Sequence, residues 1–186
     1  MLTVTEQAQE KFLEVVRAQD RDDLSVYLRI LGRGVDAFAY DIKLVVDASL
    51  PEGDVVVHQG DLTVRVDAES APELEGAVID YNLERNGFTI DNPNPVWEDE
   101  VGREVARVII EQVNPAVAGH GGAILPVKVQ EGVVYVRMLG GCQGCGLAAT
   151  TLTDGVEQAI KAALPQITDV VDITHHALGE NPYYPR

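Results

Sequence analysis

Cysteine is scarce in this 186-residue chain, with two residues, and so are methionine, with two, and tryptophan, with one. A single cysteine pair gives no disulfide framework for a chain of this length, which points to a reducing compartment and to metal or redox use of the thiols. Basic side chains are also in deficit, 14 against 30 acidic ones, for a formal charge of −16. Phosphate backbones and anionic lipid would be repelled over most of such a surface, so nucleic-acid and membrane binding are disfavoured. No stretch approaches the roughly 18 apolar residues that span a bilayer, and the N-terminus lacks a basic segment followed by an apolar one and a small-residue cleavage site. The expectation is a cytoplasmic protein. Long polar or Pro/Ser-rich tracts are missing too, which leaves a globular chain able to bury one sizeable core or two modest ones.

The acidity that is present is uneven. Residues 1–95 hold 8 Lys/Arg and 19 Asp/Glu, a net of −11, whereas 96–186 hold 6 and 11, a net of −5. A solvated surface accounts for this, and an acidic docking face for a basic partner is the sharper reading.

Thr3 and Glu6 have capping-box spacing, and Ala8, Phe12, Val15 and Val16 recur at helical intervals, which predicts an amphipathic helix over 4–19. From Leu24 the period changes to two, through Leu24, Val26, Leu28 and Ile30, and again through Tyr40, Ile42, Leu44 and Val46 after a loop. Short strands follow at 54–58, 62–66, 77–81 and 88–90, so the first half reads as one helix and a meandering, mostly antiparallel sheet. Asp91 to Pro95, DNPNP, breaks both helix and strand and marks a boundary between two small α+β domains, 1–95 and 96–186. In the second, Val101, Val105, Val108, Ile109 and Val113 form a helical stripe expected to end near Asn114-Pro115. Gly121-Gly122 turns into a hairpin of 124–130 and 133–139 joined at Glu131-Gly132. A stripe of Leu152, Val156, Ile160, Ala163 and Leu164 stops at Pro165, and 170–173 closes as a strand.

Both cysteines lie in Gly140 to Gly146, GGCQGCG, directly after the second hairpin strand. Gly140, Gly141, Gly144 and Gly146 remove side chains and permit positive φ, so backbone N–H groups or a second copy of the loop can approach. A helix starting soon after Cys145 would favour thiolate over thiol. Cys142 and Cys145 could grip a metal, act as a redox dithiol, or occupy an inert turn. A four-iron cluster or a structural zinc normally takes four ligands, and this chain has two cysteines; the simplest completion is a symmetric homodimer. Thioredoxin-like sites also place CxxC at a helix start, but after a parallel strand in a βαβ setting, and the hairpin before this loop counts against that rival.

The run 113–174 resembles the Nfu domain, the C-terminal module of NifU-type iron-sulfur scaffolds, through VNPAVAGHGG at 113–122, VVYVRMLGGCQGC at 133–145 and TLTDGVEQAI at 151–160. Many Nfu domains have Asp after the paired glycine, where this chain has Ala123. The first half, through LSVYLRILGRGVDAFAYDIKLV at 24–45 and FTIDNPNP at 88–95, resembles the A-type carrier fold of IscA and HesB proteins. That family has a cysteine where this chain has Val35, and a Cys-x-Cys near its end, whereas no cysteine follows Asn94 in this domain. The tail GENPYYPR adds a likeness to NfuA-type two-domain carriers. The resemblance implies a mostly antiparallel β A-type domain with a helix, without its ligands and used for target recognition, followed by an α-β-β-α-β Nfu domain. It further implies one 4Fe-4S cluster per homodimer, held by Cys142 and Cys145, accepted from an iron-sulfur scaffold donor and passed to apo-proteins. A zinc-bridged structural dimer and a CxxC dithiol-disulfide oxidoreductase are the alternatives.

No carboxylate spacing suggests an acid/base pair, so no catalytic residue is assigned and no enzyme is expected. His120 reads as a turn residue, His58, His175 and His176 as surface groups, and Trp97, Tyr183 and Tyr184 as packing residues.

Overall fold

The structure, a computed structural model, describes residues 1–19, 21, 23–46, 53–119, 121–142 and 153–175, with 153 and 154 as backbone. The chain divides into two compact units, Met1–Ile30 with Tyr40–Pro95, and Leu31–Ala39 with Val96–Arg186.

In the first unit, β1 (Thr3–Val4) runs into α1 (Glu6–Arg17). The helix cap is Thr5, not the Thr3 expected from the capping-box spacing: the Thr5 hydroxyl accepts from the Ala8 N–H at 3.2 Å and donates to Asp80 at 2.6 Å. Thr3 is committed to the sheet instead, with Thr3 and Val4 pairing in parallel with Val78 and Ile79. Of the predicted apolar stripe, Ala8 and Phe12 are buried while Val15 is 36% exposed.

The strands that follow are β2 (Leu24–Arg33), β3 (Phe38–Val46), β4 (Val55–Gln59), β5 (Leu62–Val66), β6 (Val78–Asn82) and β7 (Gly87–Asp91). They do not form one meander. Among the described residues they form two sheets, in the orders β1-β6-β7 and β3-β2-β5-β4, and β2 pairs with β5 in parallel. The antiparallel hairpins β4–β5 and β6–β7 are local, and Gly60, with φ +58°, supplies the tight turn of the first. Phe12 stacks on Phe88 with centroids 3.8 Å apart, and Tyr81 meets Phe88 edge-on at 5.1 Å, which ties α1 to the β6–β7 hairpin. The DNPNP stretch is tied down by its own side chains: the Asn94 amide donates to the Glu73 and Glu75 carbonyls, each at 2.9 Å.

Tyr27 on β2 is 7% exposed, and its hydroxyl lies 3.3 Å from the Asp67 carboxylate. Burial first, then the negative charges of Asp67 and Asp54, push its phenol from 10.0 up to about 12. The folded chain holds this proton more tightly than the unfolded chain does. The stability so gained is complete below pH 10 and is lost as pH rises toward 12. Denaturation measured across that window should show the fall, and Tyr27→Phe should make it shallower, the rest coming from Tyr40, whose phenol burial also raises; an unchanged slope in the variant would contradict the assignment.

The second unit follows the order α-β-β-α-β. Asp99 caps α2 (Glu100–Val108) by accepting from the Gly102 N–H at 2.9 Å. The helix does not end at Asn114-Pro115 as its sequence suggests. It passes through a π-helical turn, Ile109–Val113, in which the Asn114 N–H reaches back to the Ile109 carbonyl, and goes on as α3 (Asn114–Ala118). The wider turn starts a fresh helical register, and Pro115 then occupies a first-turn position, where a missing N–H costs little. Val105, Val108, Ile109, Val113 and Val117 all face the core.

Strands β8 (Gly122–Gln130) and β9 (Val133–Gly140) form the expected hairpin; Glu131 and Gly132 both have positive φ, 51° and 78°, as a two-residue primed turn requires. Helix α4 (Thr153–Ala163) then crosses to β10 (Asp169–Asp172), which pairs in parallel with β9. Val134, Val136 and Met138 alternate inward from β9 to meet Val156 and Ile160 from α4. Ala163, assigned to the α4 stripe by its spacing, is exposed, and Leu152 lies outside the described residues. No helix among the described residues is long and apolar enough to cross a membrane.

Candidate functional site

Strand β9 delivers the chain to Gly140, Gly141 and Cys142 at the open end of the hairpin. Two glycine pairs meet there. Gly122 stands opposite Gly140 as the last register pair of β8 and β9, and the Gly141 N–H donates to the Gly121 carbonyl at 2.9 Å. Gly140 has φ +59°, and a Cβ placed on it would lie 2.5 Å from that same carbonyl oxygen. Only glycine fits both the conformation and the space.

Cys142 is 4% exposed and packs with the core of the second unit. Its sulfur lies over Gly122: a Cβ at that position would fall 2.1 Å from Sγ and 3.0 Å from the Cys142 nitrogen. The thiol therefore occupies the volume that any larger residue at 122 would fill. A thiolate in a glycine cradle is a suitable donor for iron or zinc. In the arrangement described, Sγ faces inward, so reaching a metal shared with a second chain takes a turn of the side chain out of its seat.

The sequence singled out Gly140, Gly141 and Cys142, and the structure brings these three together. Cys145, Gly144, Gly146, His120, His176, Tyr183 and Tyr184 lie outside the described residues. His58, near the end of β4, and His175 are exposed. Trp97 is half-buried, with its ring filling the space above Gly102. Val35 sits half-buried on the bend between β2 and β3, which the Gly34 N–H closes by donating to the Ala37 carbonyl at 2.7 Å. Among the described residues, no group of three or more His, Cys, Asp or Glu side chains is placed to hold a metal ion.

Gly121 and Gly122, a turn into the hairpin by sequence alone, form the floor of the cysteine seat. Asn114 carries no sequence signal of its part. Its carboxamide makes two hydrogen bonds to Ile124 of β8, donating to the carbonyl at 3.0 Å and accepting from the N–H at 2.8 Å. The topology revises one further expectation: the cysteine loop follows a hairpin, as anticipated, yet β9, α4 and the parallel β10 also form a βαβ crossover around it. The preceding hairpin thus does not by itself separate this loop from a thioredoxin-like setting.

Comparison with known proteins covers both halves of the chain. A family profile described as "Iron-sulphur cluster biosynthesis" matches residues 1–104, and one described as "NifU-like domain" matches 105–171. The chain is 32% identical to the Fe/S biogenesis protein NfuA of Azotobacter vinelandii and 34% identical to that of Ectopseudomonas mendocina, each over 98% of both chains. Among solved structures, Escherichia coli SufA is 24% identical and matches 50% of this chain and 80% of its own, with a TM-score of 0.42.

Proposed function

The chain belongs to the NfuA family of Fe/S biogenesis proteins, and from that premise we propose that it is an intermediate carrier of a 4Fe-4S cluster. Two protomers hold the cluster between them through Cys142 and Cys145 of each, receive it from an assembly scaffold and pass it to apo-proteins in the cytoplasm. The observation that carries this reading is the glycine cradle around Cys142, on a loop holding both cysteines of the chain. Four thiolates are the usual ligand set of such a cluster, and two chains supply four. A two-fold axis through the cluster is the simplest arrangement that uses the same loop twice.

The domains divide the work. Residues 96–186 carry the cluster, and residues 1–95, with valine at position 35, recognise the proteins that receive it. No residue is assigned to catalysis, because transfer is an exchange of thiolate ligands on the cargo. An acceptor's thiolates replace those of one protomer, and small glycine-rich loops leave the cluster open to that attack.

The dithiol-disulfide reading gains the βαβ crossover around the loop, and like the carrier reading it needs the Cys142 thiol, 4% exposed, to turn outward. Colour separates the two: after anaerobic reconstitution with iron and sulfide a redox dithiol stays colourless, whereas the carrier turns brown. A zinc-bridged dimer needs the same four thiolates and is separated from the carrier by acid-labile sulfide. Carrier function is tested by incubating the cluster-loaded protein with a cysteine-bearing apo-acceptor. The expected result is the appearance of cluster on the acceptor with matching loss from the donor, and a donor that keeps its cluster unchanged would sink the carrier role.

A further inference from the structure

Cys142 is seated through a short chain of contacts that starts on α3. At one end of the segment 121–124, the Gly121 N–H donates to the Ala118 carbonyl at 2.9 Å. At the other end, the half-buried Asn114 carboxamide takes both backbone groups of Ile124, at 3.0 and 2.8 Å. Between these two attachments stand the groups that touch the cysteine loop. They are the Gly121 carbonyl, bonded to the Gly141 N–H at 2.9 Å, and Gly122, whose missing Cβ leaves room for Sγ.

A carboxamide that donates and accepts on one residue acts as a strand partner would, fixing both the register and the tilt of the backbone it holds. Asn114 is the first residue of α3, directly after the π-helical turn and before Pro115, so the clamp stands at the point where the helix changes register. We propose that Asn114 is a positioning residue for Cys142: by holding Ile124 through both backbone groups it fixes the strand end whose Gly121 carbonyl and Gly122 Cα seat the cysteine. Resting on the carrier reading, this makes Asn114 the group that governs how firmly the apo thiol is sheltered before a cluster arrives. Deleting the clamp frees the strand end, breaks the bond to Gly141 and lets Sγ turn out.

The test uses the full-length apo chain carrying Cys145→Ala, so that Cys142 is the one thiol, and compares it with the same chain carrying Asn114→Ala or Asn114→Asp. Asp keeps the acceptor for the Ile124 N–H but sets a carboxylate oxygen against the Ile124 carbonyl. Val170→Ala serves as a control for general destabilisation, since Val170 pairs with Val134 near the turn end of β9, far along the strand from Gly140. Two quantities are read: the rate at which a dipyridyl disulfide traps Cys142, and amide hydrogen exchange at Gly141, Val134 and Val136. Loss of the clamp is expected to raise the trapping rate about tenfold, on the scale of outer-shell effects at ligand sites, and to speed exchange at Gly141 while leaving Val134 and Val136 protected. Trapping within about twofold of the parent in both variants, or an equal rise in Val170→Ala, would overturn the proposal. Neither quantity involves a cluster, so Asn114 can fail this test while the carrier reading stands, and the carrier reading can fail while Asn114 passes.

Discussion

Cys142→Ala is expected to lose the cluster while keeping the fold. On the bridged reading each chain gives two thiolates, so the substitution removes two of four ligands from the dimer at once. Loss of outer-shell partners alone costs about 10–100-fold in metal affinity, and loss of ligands costs more, so iron retained after anaerobic reconstitution and desalting should fall by well over tenfold. The structural penalty is far smaller. Cys142 is 4% exposed and packs as a small apolar group, and trimming its sulfur beside Gly122 removes one heavy atom from the core; that is on the order of 1 kcal/mol. Circular dichroism and thermal melting should therefore show a folded variant that has lost its iron. Full stoichiometry in the variant would remove Cys142 from the ligand set.

Gly140→Ala should do the reverse, damaging the structure first and the site as a consequence. The position combines φ +59° with a Cβ that would stand 2.5 Å from the Gly121 carbonyl oxygen. The left-handed conformation costs a non-glycine residue about 1–2 kcal/mol, and forcing a methyl group into occupied space costs about 1–3 kcal/mol more. Relief comes from moving Gly121 away, which breaks its bond to the Gly141 N–H and unseats Cys142. Urea denaturation should show a loss of about 2–5 kcal/mol, accompanied by poor cluster retention. Gly155, on the exposed side of α4, is the contrast: a Cβ there meets nothing within 4 Å. Alanine at 155 should stabilise the chain by about 0.5–1 kcal/mol through helix propensity and leave cluster loading untouched. Equal effects at 140 and 155 would refute this account of the loop.

Elements with a strong local period were legible in the sequence, and those decided by partners distant in the chain were not. The alternation from Leu24 and from Val133 predicts strands because each buried side chain repeats every second residue, and the stripe from Val101 to Val113 predicts a helix for the corresponding reason. Thr3 misled because the capping box is a local rule, whereas Thr3 and Val4 are claimed by Val78 and Ile79, 75 residues later. Pro115 misled because proline is read as a stop, and a π-helical turn was the unread alternative.

The floor of the cysteine seat was hidden by a register shift. Counting back from the Glu131-Gly132 turn, Gln130 faces Val133 and Lys128 faces Tyr135, which would set Ala123 opposite Gly140. An irregularity between Pro126 and Lys128 slips β8 by one residue, so Gly122 takes that place and Ala123 faces Leu139 instead. Without the slip, a methyl group would stand where the Cys142 sulfur is seated. Pro126, which has no N–H to give to a ladder, was the available signal.

Sharing of one cluster by two chains is tested by the mass and iron content of the wild-type protein after anaerobic reconstitution with iron and sulfide. Native mass spectrometry should find a dimer carrying about four irons and four sulfides, which reverts to the apo mass when the cluster is removed. A monomer that holds the whole cluster, or a dimer with zinc and no sulfide, would contradict the account.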